Sequence, residues 1–166
     1  MAEIKNSNVH DLPEGIHKIK NAFVILVRTQ WNTAIVDEME RRCVEVLQQH
    51  KIKTKTLIVP GAVEIPFAIH QCWNTTKKKT QPAAFIALGC VVRGDTPHFE
   101  YVCQSVTTGV SNLNILLPVP VIFGVLTVNY MQQAEDRIGG QHGHKGEEAA
   151  ISAMKMILLN QQFGKE

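Results

Sequence analysis

The stretch GCVVRGDTPHFEY, residues 89–101, ends an apolar run in Arg-Gly-Asp-Thr-Pro and restarts with a histidine at the head of a helical pattern. Strand, small polar turn and helix start follow one another with no spacer. Such a turn presents backbone N–H groups to a ligand, and those around Gly94, Asp95 and Thr96 read as an anion nest reinforced by the positive end of the next helix. Pro97 fits the first helical position and Thr96 its cap, and the Asp95 carboxylate must point away from a bound anion. His98 then stands in the first helical turn beside that anion. An imidazole has an ordinary pKa of about 6.5, which suits proton transfer near neutrality. The helix end favours its neutral form and a phosphate its cation, so its charge stays open. Taken alone, a histidine at a helix start is more often surface decoration.

Two other turns carry equally unusual residues. TQWN places the indole of Trp31 just past an apolar run, either as a core or staple aromatic or as a flat platform for a heterocycle. Asn32 is a natural helix N-cap whose amide could also serve a ligand. In PGAVEIP, Gly61 and Ala62 keep side chains out of the way of a closely approaching group. Glu64 suits the first turn of a helix on dipole grounds, and its carboxylate could equally accept hydrogen bonds from a polyol. A later segment, EDRIGGQHGHKGEEAA, is neither a phosphate-binding loop nor a dinucleotide fingerprint. It reads as a helix end, a glycine turn and a new helix, or as the place where the planar fork of Arg137 grips a phosphate.

The elements that must position these residues alternate. Apolar β-branched runs at 22–28, 55–60, 83–92 and 119–128 read as strands, the third buried on both faces because it lacks polar alternation. Ile35, Met39, Cys43, Val46 and Leu47 mark a first helix, and Phe67, Ala68, Cys72 and Trp73 a second. Phe99, Val102, Cys103, Val106, Val110 and Leu113 mark the clearest amphipathic one. NYMQQAEDR forms a short helix, and Ala150, Ala153, Met154, Ile157 and Leu158 face inward on a terminal one. Strands alternating with helices imply right-handed crossovers and a parallel sheet covered on both faces: a three-layer α/β/α sandwich of about four strands. In such a sheet all three unusual turns lie at the carboxyl edge, where ligands bind.

The chain has 166 residues and a net charge of +2, one domain's worth (21–166) with a polar, aperiodic arm at 1–20. Within the arm, Val9, Ile16 and Ile19 could pair with a sheet edge. Apart from Lys77–Lys79, which read as a solvated loop, the basic residues are scattered, and nothing forms the continuous positive face that nucleic acid requires. The four cysteines have no CxxC spacing and read as reduced core thiols. The start lacks an apolar signal core and the longest apolar run is about half a membrane span, so a soluble cytoplasmic protein is expected, with no membrane partner. Histidines 10, 17, 50, 70, 142 and 144 lack metal-ligand spacing, with His142 and His144 a weak exception, so no metal is expected.

Together VPGAVEIP, LGCVVRGDTPHFEYV, VPVIFGVLT and QAEDRIGGQHGHKGEEAA resemble the lumazine synthase family of riboflavin biosynthesis, over roughly 21–159. The resemblance implies a flavodoxin-like fold and the condensation of 5-amino-6-ribitylaminouracil with 3,4-dihydroxy-2-butanone 4-phosphate, with loss of phosphate and water and with neither cofactor nor metal. On that resemblance Trp31 stacks on the pyrimidine, a place often held by Phe. Asn32, Ala62, Val63 and Glu64 match the ribityl-binding set, and Val91 and Val92 the backbone that reads the pyrimidine edge. Gly94, Asp95, Thr96 and Arg137 match the phosphate site and His98 the proton-transfer residue. Phe123, Arg137 and Lys145 match positions that reach a neighbouring subunit's pocket, which implies a pentamer with shared sites. Asp136 stands where many members carry Glu. The short turn GGQHGHKG is similar to members that build 60-subunit icosahedral shells, some of which enclose riboflavin synthase. A flavin- or pteridine-holding module without chemistry and a mainly structural shell protein are the competing readings.

Overall fold

The computed structural model describes residues 11–19 and 22–163; Val9 lies outside them. Strand β1 (Phe23–Thr29) leads into helix α1 (Thr33–Gln49), β2 (Lys53–Val59) into α2 (Ile65–Thr75), β3 (Ala84–Val92) into α3 (His98–Leu116), and β4 (Val121–Val128) into the short α4 (Met131–Glu135). A small antiparallel pair, β5 (Ile138–Gly140) and β6 (Gly143–His144), precedes the terminal helix α5 (Lys145–Phe163). The four long strands form one parallel sheet in the order β2-β1-β3-β4. This is the flavodoxin-like three-layer arrangement expected from the alternation of strand and helix.

Side-chain alternation along the central strands divides the core in two. Val24 and Leu26 of β1, with Ile86, Leu88 and Cys90 of β3, pack on Met39, Cys43, Ala150 and Met154 from α1 and α5. Ile25, Val27, Phe85 and Ala87 point the other way, onto Ile65 and Ile69 of α2 and Val106, Val110 and Leu113 of α3. A strand buried on both faces has no polar period, which is why β3 reads as one unbroken apolar run.

On α2 the inward phase is set by Ile65 and Ile69, and Phe67, counted among the apolar marks of that helix, is instead 68 % exposed. The β5–β6 pair is a finding beyond the sequence reading, which took its glycines for a turn. Ile16–Lys18 form a 3-10 turn, and Ile19 is buried against the α1/α5 side of the core. Cys43 and Cys90 are buried free thiols, whereas Cys72 and Cys103 are only half-buried. Burial raises the Cys90 thiol to about 11 and pushes Cys43 further still. Among the described residues no helix is long and apolar enough to cross a membrane.

The strand order fixes where a ligand can sit. From β1 the chain crosses to β2 on one side and later to β3 on the other, so the crossovers part at the carboxyl ends of β1 and β3. That parting leaves a crevice in open parallel sheets.

Candidate active site

The crevice is there, with a volume of about 460 Å³, within the usual range for a small-molecule site. Its walls come from all three unusual turns: Trp31 and Asn32 after β1, Gly61–Glu64 after β2, and Cys90–Val92 with His98 at the end of β3 and the start of α3. A second hollow, about 520 Å³, lies along α1. There Arg28 is paired with Asp37 (2.5 Å) and Glu40 (3.1 Å), and Arg41 with Glu45 (3.2 Å). With its charges paired among themselves, that hollow offers a ligand little, and the sheet-edge crevice is the candidate.

Local structure aims each wall. Asn32 occupies the cap position of α1 in the left-handed region (φ 55°, ψ 48°) and makes no side-chain cap bond. Its Nδ2 instead donates to the Cys90 carbonyl at 2.8 Å, tying the first turn to the end of β3. Trp31, one residue earlier, is 70 % exposed, so its ring is not a core aromatic. The buried Thr29 hydroxyl donates to the Trp31 carbonyl at 3.3 Å and steadies that turn.

Gly61 lies beside the indole. A Cβ there would sit 3.1 Å from Glu64 Oε2, close enough to press on the carboxylate, and in ordinary contact with Trp31 Cδ1 at 3.5 Å. The Gly61 N–H donates to Glu64 Oε2 at 2.8 Å, as in a capping box. One Glu64 oxygen thus caps its own turn while the residue lines the crevice.

Helix α3 begins at His98, with Pro97 already in helical geometry at the cap position and no side-chain cap bond. Thr96, expected to cap, makes no such bond: the helix starts one residue later than expected, with Pro97 itself at the cap position, and the first turn is closed by the Glu100 N–H donating to the Pro97 carbonyl at 3.1 Å. Gly94, Asp95, Thr96 and His98 are all exposed at the rim.

Comparison with known proteins decides the family. The family model described as 6,7-dimethyl-8-ribityllumazine synthase matches residues 21–161. A 6,7-dimethyl-8-ribityllumazine synthase of Parabacteroides distasonis is 43 % identical over 135 residues, covering 80 % of this chain and 82 % of the relative. One from Flavobacterium johnsoniae is 40 % identical over 163 residues, covering 96 % and 83 %. The chain belongs to the 6,7-dimethyl-8-ribityllumazine synthase family.

Within this lumazine synthase fold, Phe123, Arg137 and Lys145 are not among the residues lining the chain's own crevice. Phe123 is half-buried on β4, against the α2/α3 side of the core. Arg137 follows α4, where its guanidinium donates to Glu148 Oε2 at 2.8 Å and to the His142 carbonyl. Lys145 Nζ lies 3.5 Å from the same Glu148 oxygen. Glu148, which the sequence reading passed over, therefore holds both cations, and its other oxygen, Oε1, is buried without a partner. Thr29, Cys90 and Val102 also line the crevice unanticipated.

Proposed function

We propose that this lumazine synthase condenses 5-amino-6-(D-ribitylamino)uracil with 3,4-dihydroxy-2-butanone 4-phosphate to 6,7-dimethyl-8-ribityllumazine, releasing phosphate and water, the penultimate step of riboflavin biosynthesis. The observation that carries the reading is the meeting of indole, carboxylate and imidazole, from Trp31, Glu64 and His98, around one crevice at the sheet's crossover point.

In this reading the pyrimidine stacks on Trp31, Val91 and Val92 meet its edge through their backbone, and Asn32, Ala62, Val63 and Glu64 hold the ribityl chain. The amides of Gly94, Asp95 and Thr96 receive the phosphate. Attack of the pyrimidine's primary amine on the ketone carbon forms a carbinolamine, which loses water to a Schiff base. Phosphate then leaves as a proton is withdrawn, and ring closure expels the second water. His98 moves the protons. Holding both substrates in reacting geometry removes most of the entropic barrier, with general acid–base help added by one imidazole.

The site is completed by Phe123, Arg137 and Lys145 of an adjoining protomer in a pentamer. Two things support this: those residues stand outside the chain's own crevice, and Phe67, Tyr101, Ile115 and Leu116 leave large apolar side chains exposed on α2 and α3, more than a lone soluble chain ordinarily shows. The short GGQHGHKG turn favours pentamers assembled into a 60-subunit icosahedral shell in the cytoplasm, with riboflavin synthase as the enclosed partner.

The test is to mix purified protein with both substrates and follow lumazine absorbance and fluorescence against the spontaneous reaction. Acceleration is expected. Its absence would leave only a flavin- or pteridine-binding module.

A further inference from the structure

The rim turn between β3 and α3 is not held by packing. Residues 93–98 are all exposed, and no atom lies within 4 Å of where a Cβ on Gly94 would sit. Among the described residues the side chains of Asp95, Thr96 and His98 have no hydrogen-bond or charge partner. A five-residue turn left to itself would have to be ordered by its ligand, at an entropic cost to binding.

Arg93 closes that turn. Its Nε donates to Asn129 Oδ1 at 2.9 Å, its Nη1 to the Glu100 carboxylate, and its guanidinium carbon lies 4.2 Å from the centre of the Phe99 ring. Its backbone N–H donates to the Val128 carbonyl at 2.9 Å. Asn129 is itself fixed, its N–H donating to Gln133 Oε1 of α4 at 2.8 Å. One planar side chain thus joins the first residue of the turn to the two residues just after His98 and to the residue that follows β4.

We infer that Arg93 is a positioning residue: a clasp across the base of the turn that pre-organises the 94–96 amides and His98 for the phosphate-bearing substrate. It touches neither substrate, and the inference rests on reading that turn as the phosphate site. Stability does not explain the arrangement. The Arg93 and Glu100 side chains are 42 % and 54 % exposed, and exposed pairs contribute little to folding. Geometry is what three simultaneous contacts from one rigid fork supply. The hydrogen bond from Arg93 also holds the Glu100 carboxyl below its usual range.

Arg93→Lys is the decisive variant, because an ammonium keeps the charge but cannot serve two acceptors and a ring face together. Expected are a rise of about 10-fold in KM for the butanone phosphate, a pyrimidine KM within about 2-fold of the parent, and a thermal midpoint within about 2 °C. Inorganic phosphate binding, read directly by phosphorus NMR, should weaken by a similar factor, on the order of 10-fold. Glu100→Gln, which leaves a neutral acceptor, should fall between parent and Arg93→Lys. Unchanged phosphate binding in Arg93→Lys would overturn the clasp, as would a loss shared equally by both substrates and accompanied by a fall in melting temperature. The parent protein in the same assay separates the two claims: an inactive parent contradicts the proposed reaction, while the phosphate titration still decides the clasp.

Discussion

Asn32 and Cys90, 58 residues apart in sequence, are joined by a 2.8 Å bond from the Asn32 amide to the Cys90 carbonyl. That bond sets the spacing between the turn after β1 and the end of β3, and so the width of the crevice. Asn32 makes it from a left-handed backbone at φ 55°.

Substitutions at Asn32 should separate these two roles. Asn32→Gly and Asn32→Ala both lose the bond and should raise the pyrimidine KM alike. Only alanine must hold the left-handed conformation with a Cβ, so Asn32→Ala should be less stable than Asn32→Gly by about 1 kcal/mol. Denaturant melts beside kinetics check both. Equal stabilities would mean the backbone relaxes.

Trp31 should matter for binding and not for folding. Its exposure in the single chain gives it few core contacts, so Trp31→Ala should melt within about 0.5 kcal/mol of the parent. Stacking of roughly 0.5–1.5 kcal/mol predicts a pyrimidine KM raised by up to about 10-fold, mostly restored in Trp31→Phe. Fluorescence in a Trp73→Phe background isolates this indole, since the chain has 2 tryptophans. Pyrimidine should change its emission.

At His98 and Arg137 the losses should differ in kind. His98→Ala should slow turnover about 10-fold to 1000-fold without abolishing it, as the help of one acid–base group allows. Arg137→Ala should lose more, mostly through the butanone phosphate. Equal or better activity in Arg137→Ala would contradict its assignment to the phosphate.

Acid should weaken the ion pair between Glu38 and Arg41 on α1 and, to a lesser degree, the Glu38–His144 contact. Glu38 is lowered from 4.5 to about 2, chiefly by its hydrogen bond from Arg41, opposed next by burial, with a smaller lowering from His144. Its folded pKa lies below the unfolded one, so the stabilisation is complete above pH 4.5 and disappears as pH falls through about 2. Glu38→Gln should therefore be less stable than the parent at neutral pH, with the gap closing between those limits. A gap unchanged at pH 2 would show that the carboxylate's charge is not the cause.

What could be read from the sequence, and what could not, follows from the range of the interactions. The four main strands and the α1, α3 and α5 helices were legible because burial writes its period locally, as in the unbroken run of β3. The three turns were legible as unusual because Trp31, Glu64 and His98 are poor filler. Asn32 as a bridge was not, since its partner is a backbone carbonyl that leaves no mark on composition. Glu148 was hidden beside Glu147, because two acids in a helix's first turn look like dipole compensation. Phe67 was misplaced because α2 carries apolar residues on more than one face, Ile65 and Ile69 inward and Phe67 outward, and the pattern alone does not say which stripe faces inward.

The proposed shared site is tested most directly by combining two impaired chains. In the proposed arrangement His98→Ala spoils a chain's own crevice, and Arg137→Ala spoils what it would lend to its neighbour. Unfolded together, mixed in equal amounts and reassembled, hybrid rings should regain sites that hold both groups at about one contact in four under random pairing across a head-to-tail interface. Lumazine formation in the mixture well above the sum of the two variants refolded separately is the result expected. A mixture no faster than that sum would place His98 and Arg137 in the same chain's site and contradict the account.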